Sequence, residues 1–155
     1  MGAIERFTEA AQRLGVDPQI RRFPEGTKTA ADAAQAIGCD VAQIVKSLVF
    51  MADGQAVIAF TSGANRVDPS KLARVAGASE ARRASPEEAR AATGFAVGGT
   101  PPFGHPDLMP AYLDPALLAF QEIWAAAGTP DSVFPLSPSE LQRAAGAQTA
   151  DFTEG

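Results

Sequence analysis

Apolar side chains recur at Ile4, Phe7, Ala11 and Leu14, and Gly15 follows. That spacing lays one apolar stripe along a helix that the glycine ends. Thr29, with Asp32 three positions on, predicts the cap of a second, alanine-rich helix closing at Gly38. The period then changes. VKSLVFM (45–51) and AVIAFT (56–61) are read as two strands joined at Asp53-Gly54, a pair suited to a tight hairpin turn. Four further starts have a capping residue followed by proline: Asp68-Pro69, Ser85-Pro86, Asp114-Pro115 and Ser137-Pro138. Proline fits the first helical position because its missing N–H would be unpaired there anyway. Ser85 with Glu88, and Ser137 with Glu140, add capping-box spacing. FAVGG (95–99), PAYLD (110–114), FQEIWAA (120–126) and SVFPL (132–136) are read as strands, with QTADF (148–152) a last one. Helices and strands alternate irregularly, with hairpins between them, which favours an α+β fold over a doubly wound parallel sheet.

Length and composition bound this picture. The 155 residues are 46% hydrophobic and 20% charged, the profile of one globular domain with a real core. No apolar run approaches a membrane span and the N-terminus is not signal-like, so a cytoplasmic protein without a membrane partner is expected. The net charge is −5, unevenly spread. Residues 1–90 hold 12 Lys/Arg and 11 Asp/Glu, whereas residues 91–155 hold one Arg and seven acids. The basic residues Arg21, Arg22, Lys28, Lys46, Arg66, Lys71, Arg74, Arg82, Arg83 and Arg90 form no dense stripe. They suit a small contact with a nucleic-acid end and argue against duplex DNA.

Conventional catalytic and metal motifs are missing. One cysteine, Cys39, and one histidine, His105, cannot build a disulfide or a thiolate metal cluster, so no metal and no cofactor are expected. EGTKT (25–29) resembles a phosphate loop but fails the required spacing. Cys39 reads as a small packed residue and His105 as part of a loop rather than a base. Two features stand out. Lys46 lies in a strand whose two faces are both mostly apolar; it either snorkels to water or holds a cation at a pocket mouth for an anionic ligand. GGTPPFGHP (98–106) concentrates three glycines, three prolines and the histidine in nine residues. Glycine allows close backbone approach and proline fixes the path, so this loop is read as one that brings main-chain groups to a ligand.

With these two features the chain resembles the YbaK/prolyl-tRNA synthetase-associated editing family, the INS-like trans-editing deacylases. Members pair a KS or KT dipeptide on a strand, here Lys46-Ser47, with a GxxxP loop, here Gly98-Gly99-Thr100-Pro101-Pro102, continuing into Phe103-Gly104. The similarity extends through FTSGANRVDPSKLA (60–73), SPEEARAATGFAVGG (85–99) and IWAAAGTPDSVFPLSPSEL (123–141). The resemblance implies a single α+β domain over residues 1–155, with a strongly twisted, partly rolled, barrel-like mixed sheet surrounded by helices. It implies a free-standing hydrolase that acts on the acceptor end of mischarged tRNA, most often tRNA-Pro; an aminoacyl-tRNA synthetase is a further candidate partner, and a monomer is expected. Lys46 would hold the aminoacyl-adenosine end, and Gly98, Gly99, Thr100, Pro101 and Pro102 would approach the ester. Ser47, Phe103, Gly104 and His105 would contact substrate. Thr100-Pro101 stands where some relatives that remove cysteine carry Cys-Ser. The expected substrate side chain is therefore small (alanine, serine, threonine, cysteine or 2-aminobutyrate) without a preference for cysteine. Rival readings are a non-catalytic tRNA- or synthetase-binding accessory and a nucleic-acid-binding regulator.

Overall fold

The computed structural model describes residues 2–25 and 29–155. Lys28 and most of EGTKT lie outside the described residues. The first helix, α1 (Ala3–Arg13), buries Phe7 and Ala11. A short strand, β1 (Arg21–Arg22), precedes α2 (Ala30–Ile37), where Thr29 Oγ1 accepts the Asp32 N–H and Gly38 closes the helix in the left-handed region. β2 (Val45–Ala52) and β3 (Gln55–Ser62) follow. Asp53 and Gly54 take φ of 50° and 85°, the mirror-image turn that matches strand twist, and the two strands pair over their full length from Val45–Ser62 to Ala52–Gln55.

The Asp68 and Ser85 caps start α3 (Pro69–Ala76) and α4 (Pro86–Thr93), with β4 (Ala81–Arg83) between them. β5 (Ala111–Leu113), a 3-10 turn at Pro115–Ala119, β6 (Ile123–Ala126), β7 (Ser132–Leu136), α5 (Pro138–Ala145) and β8 (Gln148–Thr149) complete the chain. The strands form a mixed five-stranded sheet in the order β4-β2-β3-β5-β8 and an antiparallel three-stranded sheet in the order β1-β7-β6. A parallel bridge between Ile44 and Trp124 links them. The α+β class and the mixed sheet are as expected; among the described residues the strands close no barrel.

Both faces of the β2–β3 hairpin are covered, which explains the unbroken apolar run of the sequence. On one face Ile58 and Phe60 join Phe7, Phe103, Leu113 and Phe134 in the main core. On the other, Phe50, Val57 and Ala59 pack with Leu72, Tyr112 and Phe152. Among the described residues no helix is long and apolar enough to cross a membrane.

Some expectations are corrected. FAVGG (95–99) is a turn, not a strand: Gly94 is left-handed, Thr93 Oγ1 accepts the Phe95 N–H at 3.1 Å, and the Gly99 N–H returns to Ala96 O at 3.0 Å. These local bonds use the groups a strand would offer to a neighbour. After Asp114-Pro115 the chain makes a 3-10 turn rather than an α-helix, and the strands within 120–126 and 148–152 are shorter than read. Edge strands β1 and β4 are Arg-rich and too short to show alternation.

α4 is held at its start by a compact ionic arrangement. Arg82 donates from both terminal nitrogens to the Glu88 carboxylate at 2.8 Å, and the Ser85 N–H adds a third bond at 2.9 Å. Led by the Arg82 hydrogen bonds, these donors pull the Glu88 carboxyl down to about 2. A depressed carboxylate stabilises the fold above its unfolded value of about 4.3, and that contribution disappears as pH falls toward the folded value. Glu88→Gln should therefore lower the melting temperature at neutral pH and flatten its decline between pH 4.5 and 2. Melting curves across that range check this; an unchanged profile would contradict it.

Candidate functional site

The two edges of β2 are used differently. One pairs with β3 throughout. Along the other, β4 pairs only with Phe50–Ala52, and the Ile44–Trp124 bridge lies at the opposite end. Ile44 O accepts the Gly63 N–H on the β3 side, whereas Val49 O accepts the Ala84 N–H on the β4 side. By strand alternation Ser47 thus turns its backbone N–H and C=O to the unpaired stretch between β4 and β6. A cavity of about 590 Å³ opens there. Lys46, Ser47 and Val49 line its strand side, Arg83 and Ala89 one wall, Trp124 and Val133 another, and Val97, Gly98 and Thr100 approach from the loop. Ser47 Oγ is buried without a hydrogen-bond partner, alone in this among the described side chains. An orphaned hydroxyl in a cleft calls for a ligand or water.

Lys46 leaves β2 on the face opposite Ser47, and its Nζ donates to Asn65 O at 2.5 Å. Burial, then the neighbouring Arg66 and Arg83 cations, hold its pKa below the ordinary ammonium value, with Asp114 opposing. The carbonyl that receives Lys46 is itself fixed. Asp114, 2% exposed, accepts the Asn65 side-chain amide at 2.9 Å and the Ser62 N–H at 3.1 Å through Oδ2. Its Oδ1 caps the following turn through the Ala116 N–H at 2.9 Å. Gly63 is needed here, because a Cβ would fall 2.4 Å from Val41 O. Sequence reasoning read Asp114 only as a cap and did not single out Asn65. The Asp-Pro pattern gives no sign of a second role.

In the loop, Gly98 takes φ 89° at the cleft. Gly99 lies against residues 128–129, where a Cβ would meet Thr129 Cα at 2.7 Å. The Gly99 N–H is spent on Ala96, and Pro101 and Pro102 have none. The Gly98 and Thr100 N–H groups donate to no protein acceptor among the described residues. Pro101 and Pro102 are buried behind the loop, and Pro101 O accepts His105 Nε2–H at 2.7 Å. Phe103 lies in the core beside Phe7 and Phe134. Phe103, Gly104 and His105 line a second cavity, of about 560 Å³, beside α1. The structure thus brings Lys46, Ser47, Gly98 and Thr100 together and places Phe103–His105 elsewhere. Burial pushes the His105 pKa down, against the bond to Pro101. Cys39 is half-buried, and burial followed by the Asp40 and Glu122 charges raises its thiol pKa.

No carboxylate or imidazole lines the β2 cleft among the described residues, and no cluster there holds three metal-ligating side chains. The arrangement offers a cation, a hydroxyl and main-chain donors. It is suited to hold an anionic, carbonyl-bearing ligand.

Comparisons with known proteins agree in kind. The sequence model of the family described as "Aminoacyl-tRNA editing domain" matches residues 24–144. An uncharacterized protein of Bacillus subtilis (strain 168), YwhH, is 34% identical over 122 residues, 79% of this chain and 78% of the relative. A proline–tRNA ligase of Solidesulfovibrio magneticus is 36% identical over 90 residues, which span 57% of this chain but 15% of the ligase. A crystal structure of a proposed trans-editing enzyme for prolyl-tRNA synthetase superposes with a TM-score of 0.94 at 46% identity, covering 100% of this chain and 99% of that one.

Asp114 ties three donors from two segments at the site. Asp114→Ala leaves those donors unpaired and should lower the unfolding free energy by about 3 kcal/mol or more. Urea denaturation measures this. A loss below about 1 kcal/mol would show that the carboxylate does not organise the segment.

Proposed function

The chain belongs to the aminoacyl-tRNA editing domain family, and from that premise we propose that it is a free-standing trans-editing hydrolase. Its substrate would be tRNA esterified with the wrong amino acid, foremost tRNA-Pro bearing a small non-cognate residue. The observation that carries this reading is the cleft at the open edge of β2, lined by Lys46 and Ser47 from the strand and by Gly98 and Thr100 from the loop. The likeness to the proline–tRNA ligase and to the trans-editing structure supports tRNA-Pro.

The 3′ end of a charged tRNA presents phosphate, ribose hydroxyls, an ester and an α-ammonium group. Lys46, with Arg83 on the same cleft, supplies cations for the phosphate end. Ser47 Oγ and the Ser47 main chain offer hydrogen bonds to the ribose or the ammonium group. Water adds to the ester carbonyl carbon, and the carbonyl oxygen becomes an oxyanion within reach of the Gly98 and Thr100 N–H groups. Collapse breaks the bond to the ribose oxygen, which takes up the proton given up by the attacking water and leaves as a hydroxyl, releasing the free amino acid and tRNA. One preorganised donor is worth about 2.7–4 kcal/mol to such a transition state. Because the ester is already activated, main-chain donors and positioning suffice where no carboxylate or imidazole among the described residues lines the cleft. The apolar lining near the loop, Val49, Ala84, Ala89 and Val97, leaves room for a small side chain. A wall of this kind separates substrates differing by one methylene by only about 1–3 kcal/mol, so several small amino acids should be accepted.

The test is single-turnover deacylation of tRNA-Pro charged in turn with alanine, serine, threonine, cysteine, 2-aminobutyrate and proline. At least one small residue should be released well above the spontaneous rate, with proline spared. Lys46→Ala should remain folded by circular dichroism and lose at least about tenfold in rate through weakened positioning. Gly98→Ala, strained at its positive φ, should lose rate with a smaller change in tRNA binding. Binding of tRNA without release of any amino acid would instead favour a non-catalytic accessory.

A further inference from the structure

α1 precedes the residues matched by the family, yet it meets the loop that carries Gly98 and Thr100 at both of its ends. At the entry, Arg6 Nη1 donates to Gly94 O at 2.9 Å, and its guanidinium sits 4.7 Å from the centre of the Phe95 ring. Phe95 meets His105 edge-on at 6.4 Å, and His105 returns to the middle of the loop through Pro101 O at 2.7 Å. At the exit, Phe103 packs on Phe7 at 5.4 Å, and Gly104 lies so near α1 that a Cβ would come within 2.9 Å of the Ala10 methyl. The turn on which Gly99 rests is also seated on this helix, since a Cβ on Gly128 would meet Ala3 O at 2.8 Å.

We propose that α1 is the clamp of the loop and that Arg6 is a positioning residue for it. Arg6 touches no part of the cleft and is exposed, so its role is neither contact with substrate nor support of the core. It fixes the entry of the loop through Gly94 and Phe95. The ring of Phe95 then fixes His105, and His105 fixes Pro101 just beyond Thr100. The N–H groups of Gly98 and Thr100 are thereby held toward the cleft before any ligand arrives. Loops held at their ends by a few bonds open locally at low cost, so removing one end tie is felt along the whole segment. The catalytic part of this inference rests on the deacylase reading; the mechanical part does not.

Amide hydrogen exchange followed by NMR in the free protein reads the mechanical part. In Arg6→Ala the hydrogen-bonded amides of Gly94, Phe95 and Gly99 should exchange about tenfold faster, the amides of β2 and β3 staying as in the parent. Arg6→Lys keeps a donor and a cation and should recover most of that protection. Arg13→Ala, on the same helix but paired with Glu9 in an exposed ion pair, should change nothing. In single-turnover deacylation, Arg6→Ala should lower the maximal rate about tenfold while the half-saturating protein concentration stays within about twofold. Unchanged loop exchange in Arg6→Ala, or equal losses in the Lys and Ala variants, would overturn the clamp. An unchanged maximal rate in a parent that does deacylate would overturn its catalytic role. A parent that releases no amino acid, with loop exchange still responding to Arg6, would overturn the deacylase reading and leave the clamp standing.

Discussion

A strand paired fully on one edge and only partly on the other leaves main-chain groups that need partners. In this protein that strand is β2, and the rest of the site depends on the gap beside it. β3 holds β2 in place over all eight residues, so the gap cannot close by moving the strand. β4 stops at Phe50 and the bridge to Trp124 reaches only Ile44, so the two sheets flank the opening without filling it. Ser47 lies in that interval with its hydroxyl buried and unanswered. An exposed edge of this kind is normally a liability for aggregation, and here walls from α4, β6 and the Gly98 loop turn it into a cleft.

The cleft is built from groups that need little adjustment. Lys46 is held by a carbonyl that a buried carboxylate positions, and the loop that carries the donors is shaped by turns and prolines. Main-chain donors cannot change protonation state near neutrality, and the cleft has no imidazole or carboxylate among the described residues. The chemistry proposed for it is addition of water to an activated ester, with the main-chain donors stabilising the oxyanion.

Much of this was legible in the sequence, for identifiable reasons. Asp53-Gly54 and the capping residues act locally, so the hairpin and the helix starts follow from a few neighbouring positions. Lys46 and the Gly98–Pro102 loop stood out by composition, lysine in an apolar strand and glycine beside proline, whereas Ser47 entered only through the resemblance to the editing family. Contacts between distant segments were hidden. FAVGG has the composition of a strand, and only the Thr93 hydroxyl and two left-handed glycines show why it turns. The sequence pattern did not separate Phe103, Gly104 and His105 from the cleft residues, because the division occurs where the chain passes from the β2 side to α1. Asp114 looked like any capping aspartate until its second oxygen was found on Asn65 and Ser62.

The central claim is that the ester of the substrate lies between Ser47 and the Gly98–Thr100 backbone, on the β2 side of the loop. An alanyl-adenosine analogue with an amide in place of the ester binds without being cut, and titrating it while following backbone amide resonances locates the ligand. The account requires the largest shifts at Ser47, Gly98 and Thr100, with Phe103, Gly104 and His105 little affected. Shifts confined to Phe103–His105 and α1 would place the ligand in the second cavity and contradict the account.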